Sequence, residues 1–234
     1  MITQSMHKLD NIRKSFNGST SRSDRSEIGQ FLTPVAIAKF MSSMFESGPQ
    51  RVKILDPGAG AGVLFATCVE TLISRAECPQ SIEVVAHETD SVILPYLEDT
   101  MISCQSLCVS KGIEFNGAIK AEDFISAAIS EMDTPLFLSP GRRFTHAILN
   151  PPYKKINSQT AMSRKLYLSG IEVANLYAVF VWLSMSLLEQ GGQMVAITPR
   201  SFCNGPYFNK FRFALLRMMS LKHIHVFESR KKAF

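Results

Sequence analysis

Apolar residues fall in short runs along the chain, and the spacing within the runs alternates between strand-like and helix-like periods. "RVKILD" (51–56), "SIEVVAHE" (81–88), "IEFNGAI" (113–119), "FTHAILN" (144–150), "QMVAITP" (193–199) and "LKHIHVF" (221–227) have strand length and composition. Ahead of and between them, apolar positions recur at helical spacing in "TPVAIAKFMSSMF" (33–45) and "VLFATCVETLIS" (63–74). "SVILPYLEDTMISCQSLCVSKG" (91–112) holds one or two helical pieces with Pro95 near the first turn, and the third strand leads into "KAEDFISAAIS" (120–130). "NLYAVFVWLSMSLLEQGG" (175–192) is the last long helix, which Gly191 and Gly192 would stop as C-cap residues. Thr33 is read as an N-cap, with Pro34 in the first helical turn. Strands that alternate with helices need right-handed crossovers, so the fold class is α/β with a mostly parallel, doubly wound sheet. Residues 1–26, with the Ser-rich, charged "NGSTSRSDRS", break this pattern and read as a flexible polar arm ahead of one domain over 27–234.

Composition narrows the class. A chain of 234 residues that is 46% hydrophobic, with 16 Phe, can bury a core and is not a disordered one. No apolar run has the length of a membrane span, and the N-terminus carries no signal-peptide core. Cys68, Cys78, Cys104, Cys108 and Cys203 lack CxxC spacing, as expected of reduced thiols in a cytoplasmic protein. The five His form no HExxH pattern, so no metal centre is expected. The net charge of +5 is uneven: Arg200, Lys210, Arg212, Arg217, Lys222, Arg230, Lys231 and Lys232 face only Glu228 from Arg200 onward. Such a stretch is either a solvated face or a surface for a polyanion.

Four breaks after strands carry candidate chemistry. In "ILDPGAGAGVLF" the glycines at 58, 60 and 62 spell GxGxG between a strand and a helix, where a ligand can approach backbone N–H groups. The spacing differs from the GxGxxG of a dinucleotide site, and no GK[ST] follows. Glu88 in "VVAHETD" ends the next strand, placed to bind both hydroxyls of a ribose. Asp90 is its competitor, better suited to solvent or a helix cap. In "AEDF", Asp123 could accept from an adenine amino group while Phe124 packs nearby. Three such turns after three successive strands suggest an adenosine-containing cofactor across the sheet's edge. The fourth break, "NPPY" (150–153), stiffens an amide and an exposed aromatic at a strand's carboxyl end, because proline cannot continue the ladder.

In this order, "IGQFLTP", "DPGAGAG", "HETD", "AEDF", "NPPY" and "NLYAVF…LLEQGGQMVAITPRSF" resemble the gamma-class (Taq-type, Eco57I-like) adenine-N6 DNA methyltransferases of bacterial restriction–modification systems. The resemblance covers residues 27–234. It implies a Rossmann-like fold that binds S-adenosylmethionine, with Thr33, Asp56, Gly58 and Gly60 holding the methionine part. It further implies Glu88 on the ribose and Asp123 with Phe124 on the adenine. Asn150, Pro151, Pro152 and Tyr153 would form the catalytic segment. The Asn150 carboxamide oxygen and the Pro151 carbonyl each accept an amino hydrogen of the target, and Tyr153 stacks on a base turned out of the duplex. No Pro-Cys pair is present for a cytosine-C5 mechanism.

The resemblance implies DNA as partner, through a recognition region that the family carries after the catalytic domain. Residues up to "ESRKKAF" leave no room for that region or for the last strand of the family's sheet, so a further C-terminal region or a partner subunit is expected. The alternatives are a protein-glutamine or RNA-adenine N-methyltransferase, or a non-catalytic nucleic-acid-binding subunit of the same fold.

Overall fold

A computed structural model describes residues 33–46, 48–132, 143–157, 160–168, 175–204 and 206–228. The arm over 1–26, most of "IGQFLTP", and Arg230 to Phe234 lie outside the described residues. The elements are α1 (Val35–Ser43), β1 (Arg51–Asp56), α2 (Val63–Ile73), β2 (Ser81–His87), α3 (Leu94–Ser110), β3 (Glu114–Lys120) and α4 (Phe124–Met132). After them come β4 (Phe144–Leu149), α5 (Ala161–Leu168), α6 (Leu176–Leu187), β5 (Leu188–Ala196) and α7 (Asn209–Met218), the last preceded by two short 3-10 turns.

All neighbouring strands are parallel, in the order β3-β2-β1-β4-β5. The chain winds outward from β1 to β3, then returns to β4 on the other side of β1, so the winding direction reverses between β1 and β4. Alternate strand residues point to opposite faces, and each face is covered. Ile54, Val84 and Ile148 face α1, α2 and α3. Leu55, Ala147 and Leu149 face α4 and α6, with Leu166 of α5 and Phe211 of α7 in the same cluster. Burial on both faces explains why β4 reads as an unbroken apolar run: all six of its residues are buried.

Three expectations are corrected. Gly191 and Gly192 do not cap α6; the helix passes directly into β5, which runs over 188–196 rather than 193–199. Phe144 pairs with Leu188 but His146 with Gln193, so the glycines take up extra chain in a bulge. Gly191 has φ +82°, and a Cβ on Gly192 would lie 3.1 Å from the Phe144 carbonyl oxygen. Arg143 instead serves the helix end, donating to the Ser186 and Leu188 carbonyls at 2.6 and 3.2 Å. The second correction concerns "LKHIHVF". These residues form no strand, since a strand exists only where a ladder partner pairs with it. Ile224 and Val226 stay 53% and 60% exposed, while His225 lies 4.7 Å from the Phe40 ring of α1. Third, Pro34 rather than Thr33 occupies the N-cap of α1.

The buried His146 ring sits in the β1–β4 seam, opposite Ile54 and edge-on to Phe45. Burial pushes it down to about 4, with Arg75 adding to the effect. Cys104 and Cys108 are buried in α3, and burial pushes the Cys108 thiol up to about 11.

Candidate functional site

The carboxyl ends of β1 and β4 lie side by side where the winding direction reverses, the position at which open α/β sheets hold ligands. A cleft there is lined by Thr33, Gly58, Gly60, Ala61, Leu64 and Asn150, with Ala59 and Val63 between them. Small residues on the β1 turn leave the backbone open to a ligand. Gly60 has φ +54°, a region that favours glycine. Gly62 serves packing: at φ +86° an added Cβ would lie 2.6 Å from the Phe65 ring.

Glu88 follows β2 and is 5% exposed. Its Oε2 accepts from Gly60 N at 2.9 Å, and its Oε1 from Thr89 N and Asp90 N at 2.8 Å each. The carboxylate thus ties the glycine turn to the end of β2, a structural duty that strand-end position alone did not suggest. A carboxylate has about four acceptor positions, so one remains for a hydroxyl donor. Asp90 accepts from Val92 N at 2.9 Å in the turn ahead of α3, whose N-cap is Ile93, so it does not cap that helix. Asp123 Oδ2 accepts from Ser126 N at 2.9 Å, capping α4. Phe124 is buried, with its ring 5.3 Å from His87 and 5.2 Å from Phe180. Burial pushes His87 down, more than Glu122 and Asp123 raise it.

Asp56 is fully buried beneath the turn and does not line the cleft. Neither carboxylate oxygen has a hydrogen-bond partner in good geometry. Burial pushes the group up to about 8; the Phe65 and Gly58 amides offset part of this, and Glu88 adds a smaller upward push. Asp56 therefore lies under the glycine turn, next to the Gly58 amide, rather than in the cleft lining.

The β4 side is built from side chains. Asn150 follows β4; its Nδ2 donates to Thr33 Oγ1 at 3.0 Å, and its Oδ1 accepts from Tyr153 Oη at 2.7 Å. Tyr153 Oη also lies 3.2 Å from the Ile197 carbonyl oxygen, just past β5. Pro151 is buried, whereas Tyr153 is half-buried, not the exposed ring expected. The loop is fastened to the start of α6: Leu176 N donates to Lys154 O at 2.9 Å, and Lys155 bridges Asn175. Tyr177 of α6 stands edge-on to Tyr153, 6.5 Å away between ring centres, and its hydroxyl lies 3.3 Å from Ser201 Oγ. Tyr177 and Ile197 were not singled out in the sequence. Only their places in "NLYAVF" and "ITPRSF" hinted at them.

Of the basic residues from Arg200 onward, Arg212 is engaged internally with the Phe202 and Asn204 carbonyls and Asn209 Oδ1. Arg217 lies over the Phe213 ring at 5.6 Å. Lys154 and Lys155, beside the cleft, are exposed, as is Lys222. Among the described residues no helix is long and apolar enough to cross a membrane, and no cluster of His, Cys, Asp and Glu could hold a metal ion.

The family described as Eco57I restriction-modification methylase matches residues 95–234. The chain belongs to that family. It is 43% identical over 236 residues to the type II methyltransferase M.BsuBI of Bacillus subtilis, covering 100% of this chain and 45% of that one. It is 38% identical over 226 residues to the type II methyltransferase M.PstI of Providencia stuartii, covering 97% and 44%. The chain thus spans under half the length of these relatives. A solved structure from Listeria monocytogenes, assigned to the class I S-adenosylmethionine-dependent methyltransferases, superposes with a TM-score of 0.62 at 12% identity. That match covers 92% of this chain and 59% of the other. The fold is the Rossmann-like one of this class.

Proposed function

We propose that residues 27–234 are the catalytic domain of a DNA adenine-N6 methyltransferase of a restriction–modification system, with S-adenosylmethionine as cofactor. The observation that carries the reading is the Asn150 carboxamide, held beside the glycine turn at the point where β1 and β4 diverge. The residues present fit the cofactor. The cleft floor from Gly58 to Ala61 is small and backbone-lined, and Glu88 keeps acceptor capacity at its rim. Thr33, Gly58 and Gly60 would hold the methionine part, Glu88 the ribose, and Asp123 with Phe124 the adenine. Asp56 would act from beneath the turn, supporting its shape. When bound, the cofactor supplies a methyl group on an activated sulfonium.

The chain's own residues prepare the acceptor. An adenine amino group is a weak nucleophile because its lone pair is shared with the ring. Asn150 Oδ1 and the Pro151 carbonyl accept its two hydrogens, which favours pyramidal nitrogen and frees that lone pair. Tyr153 offers a ring face for the extruded base, and fixed placement of the nitrogen supplies much of the remaining rate. Pro151 and Pro152 stiffen the segment.

DNA is the proposed substrate, approached through the exposed Lys154–Lys155 pair and the basic residues after Arg200. Base-specific readout needs side chains set in a groove. It is proposed to come from a further region or partner subunit, consistent with relatives more than twice as long. A cytoplasmic location goes with this activity.

Labelled methyl transfer to DNA, RNA and protein in parallel, followed by nucleoside and amino-acid analysis, tests the proposal. N6-methyladenine in DNA is expected. Label confined to RNA or to protein glutamine overturns the substrate assignment, and no cofactor binding by the folded chain overturns the activity.

A further inference from the structure

The carboxamide of Asn150 has two ends of nearly equal size and opposite polarity: an oxygen that accepts and an NH2 that donates. Resting on the proposed reaction, only the oxygen end can face a target amine. An inverted amide would set donor against donor. Something must therefore select the orientation, and the structure places a hydroxyl at each end.

The two ends have different partners. The 2.7 Å contact between Tyr153 Oη and one end has the length of an O–H···O bond, while the 3.0 Å contact between Thr33 Oγ1 and the other has that of an N–H···O bond. Thr33 is well suited to hold its end. It is 6% exposed, β-branched, and precedes Pro34, which restricts its backbone to the extended region. Pro34 O accepts from Ala38 N at 3.0 Å, so the residue is anchored to the first turn of α1. Ser42 of that helix is in turn 2.9 Å from Thr67 of α2. At the other end, the Tyr153 hydroxyl has one proton and two acceptors, Asn150 Oδ1 and the Ile197 carbonyl. A carbonyl oxygen can accept two donors, so Oδ1 can serve Tyr153 and a target amine together.

We infer that Thr33 is a positioning residue for Asn150, its hydroxyl acting with that of Tyr153 to fix which end of the carboxamide faces the target. This goes beyond a contact to the cofactor. Thr33 also lines the cleft, so the two roles must be separated.

Thr33→Val removes the hydroxyl and keeps the shape, Thr33→Ser keeps the hydroxyl, and Tyr153→Phe keeps the ring. Each is compared with wild type for S-adenosylmethionine affinity, single-turnover methyl transfer by the complete natural polypeptide, and melting temperature. The side-chain NH2 resonances of Asn150 in the cofactor-free protein, assigned with Asn150→Ala, give a readout independent of activity. Thr33→Val should lower the single-turnover rate at saturating cofactor at least 10-fold, a loss that saturation cannot restore whatever the change in cofactor affinity. Its Asn150 resonances should broaden or double. Thr33→Ser should recover to within 3-fold, and Tyr153→Phe should lower the rate without the spectrum of an unfolded protein. If Thr33→Val fails to fold, Thr33→Ala is judged on the same readouts. A 10-fold loss of cofactor affinity with a normal rate at saturation would make Thr33 a cofactor contact only. Equal impairment of the Ser and Val variants would also overturn the inference. A wild-type protein that neither binds the cofactor nor transfers methyl overturns the underlying activity instead.

Discussion

The β1–β3 half of the cleft and the β4–β5 half both carry main-chain bonds but differ in what their side chains hold. On the first, carboxylates accept from main-chain amides: Glu88 from Gly60, Thr89 and Asp90, and Asp123 from Ser126. Main chain also meets main chain there, with Ala59 N on His87 O and Glu88 N on Lys120 O. On the second, main chain also meets main chain, with Ile197 N on Leu149 O and Leu176 N on Lys154 O. Its side chains, however, hold one another: Asn150 with Thr33 and Tyr153, and Tyr177 with Ser201. The shape of the first half is thus inseparable from the fold, whereas the second can lose a functional group with the backbone still in place. The difference matches the two tasks proposed. A cofactor needs a preformed cradle, and a reacting amine needs a few well-aimed acceptors.

The largest expected effect breaks the β4–β5 half alone. Asn150→Ala should lower methyl transfer at least ~100-fold, the scale seen when a preorganised hydrogen-bonding group is removed from a reaction centre. Melting temperature and cofactor affinity should stay close to wild type, because the side chain's partners are hydroxyls that can turn to water. Near-normal turnover would remove Asn150 from the chemistry.

Gly62→Ala strikes the other half and should behave in the opposite way. Its Cβ would meet the Phe65 ring at 2.6 Å on a left-handed backbone. Overpacking and left-handed strain together cost about 2–4 kcal/mol of stability. Chemical denaturation measures this directly, and an unchanged midpoint would show that the turn is more pliable than described.

The seam between the halves should report pH. His146 is buried with its pKa lowered from 6.5 to about 4, so the folded state favours the neutral ring. Its contribution is complete above the unfolded value and is lost as pH falls from about 6.5 towards 4. The full loss is about 3 kcal/mol for a shift of this size. Unfolding free energies at pH 7.5 and 5 should differ less in a His146→Leu variant than in wild type; equal slopes would place the acid sensitivity elsewhere.

Glu88→Ala should sharpen the comparison with the smallest effect. It should weaken cofactor binding by about 1–3 kcal/mol, as for a lost charged hydrogen bond, and lower the melting temperature in parallel because three amides lose their acceptor. Calorimetry and melting on one preparation test the pair. Weakened binding at unchanged stability would mean that the Gly60–Glu88 tie carries little of the fold.

β4 was legible because a strand buried on both faces must be apolar throughout, and β1 because its inward positions are apolar. "RVKILD" matched β1 residue for residue, and "FTHAILN" overran β4 by Asn150 alone. "LKHIHVF" has the same local character and forms no strand, for pairing is a property of two segments and composition describes one. Gly191 and Gly192 failed for a related reason. A glycine pair permits a helix stop or a bulge equally, and the close approach of the Phe144 carbonyl decides between them.

The candidate site divides along the same line. The order of its motifs, the glycine turn and the amide after β4 are local features, so the sequence alone was enough to point to the fold, the family and the residues to test. Which groups hold one another was decided by tertiary structure. Glu88 is separated from Gly60 by 28 residues and Asn150 from Thr33 by 117. Polarity and spacing say that such side chains need partners; only the sheet order, with β2 on one side of β1 and β4 on the other, and the packing of α1 on that sheet say which ones they find.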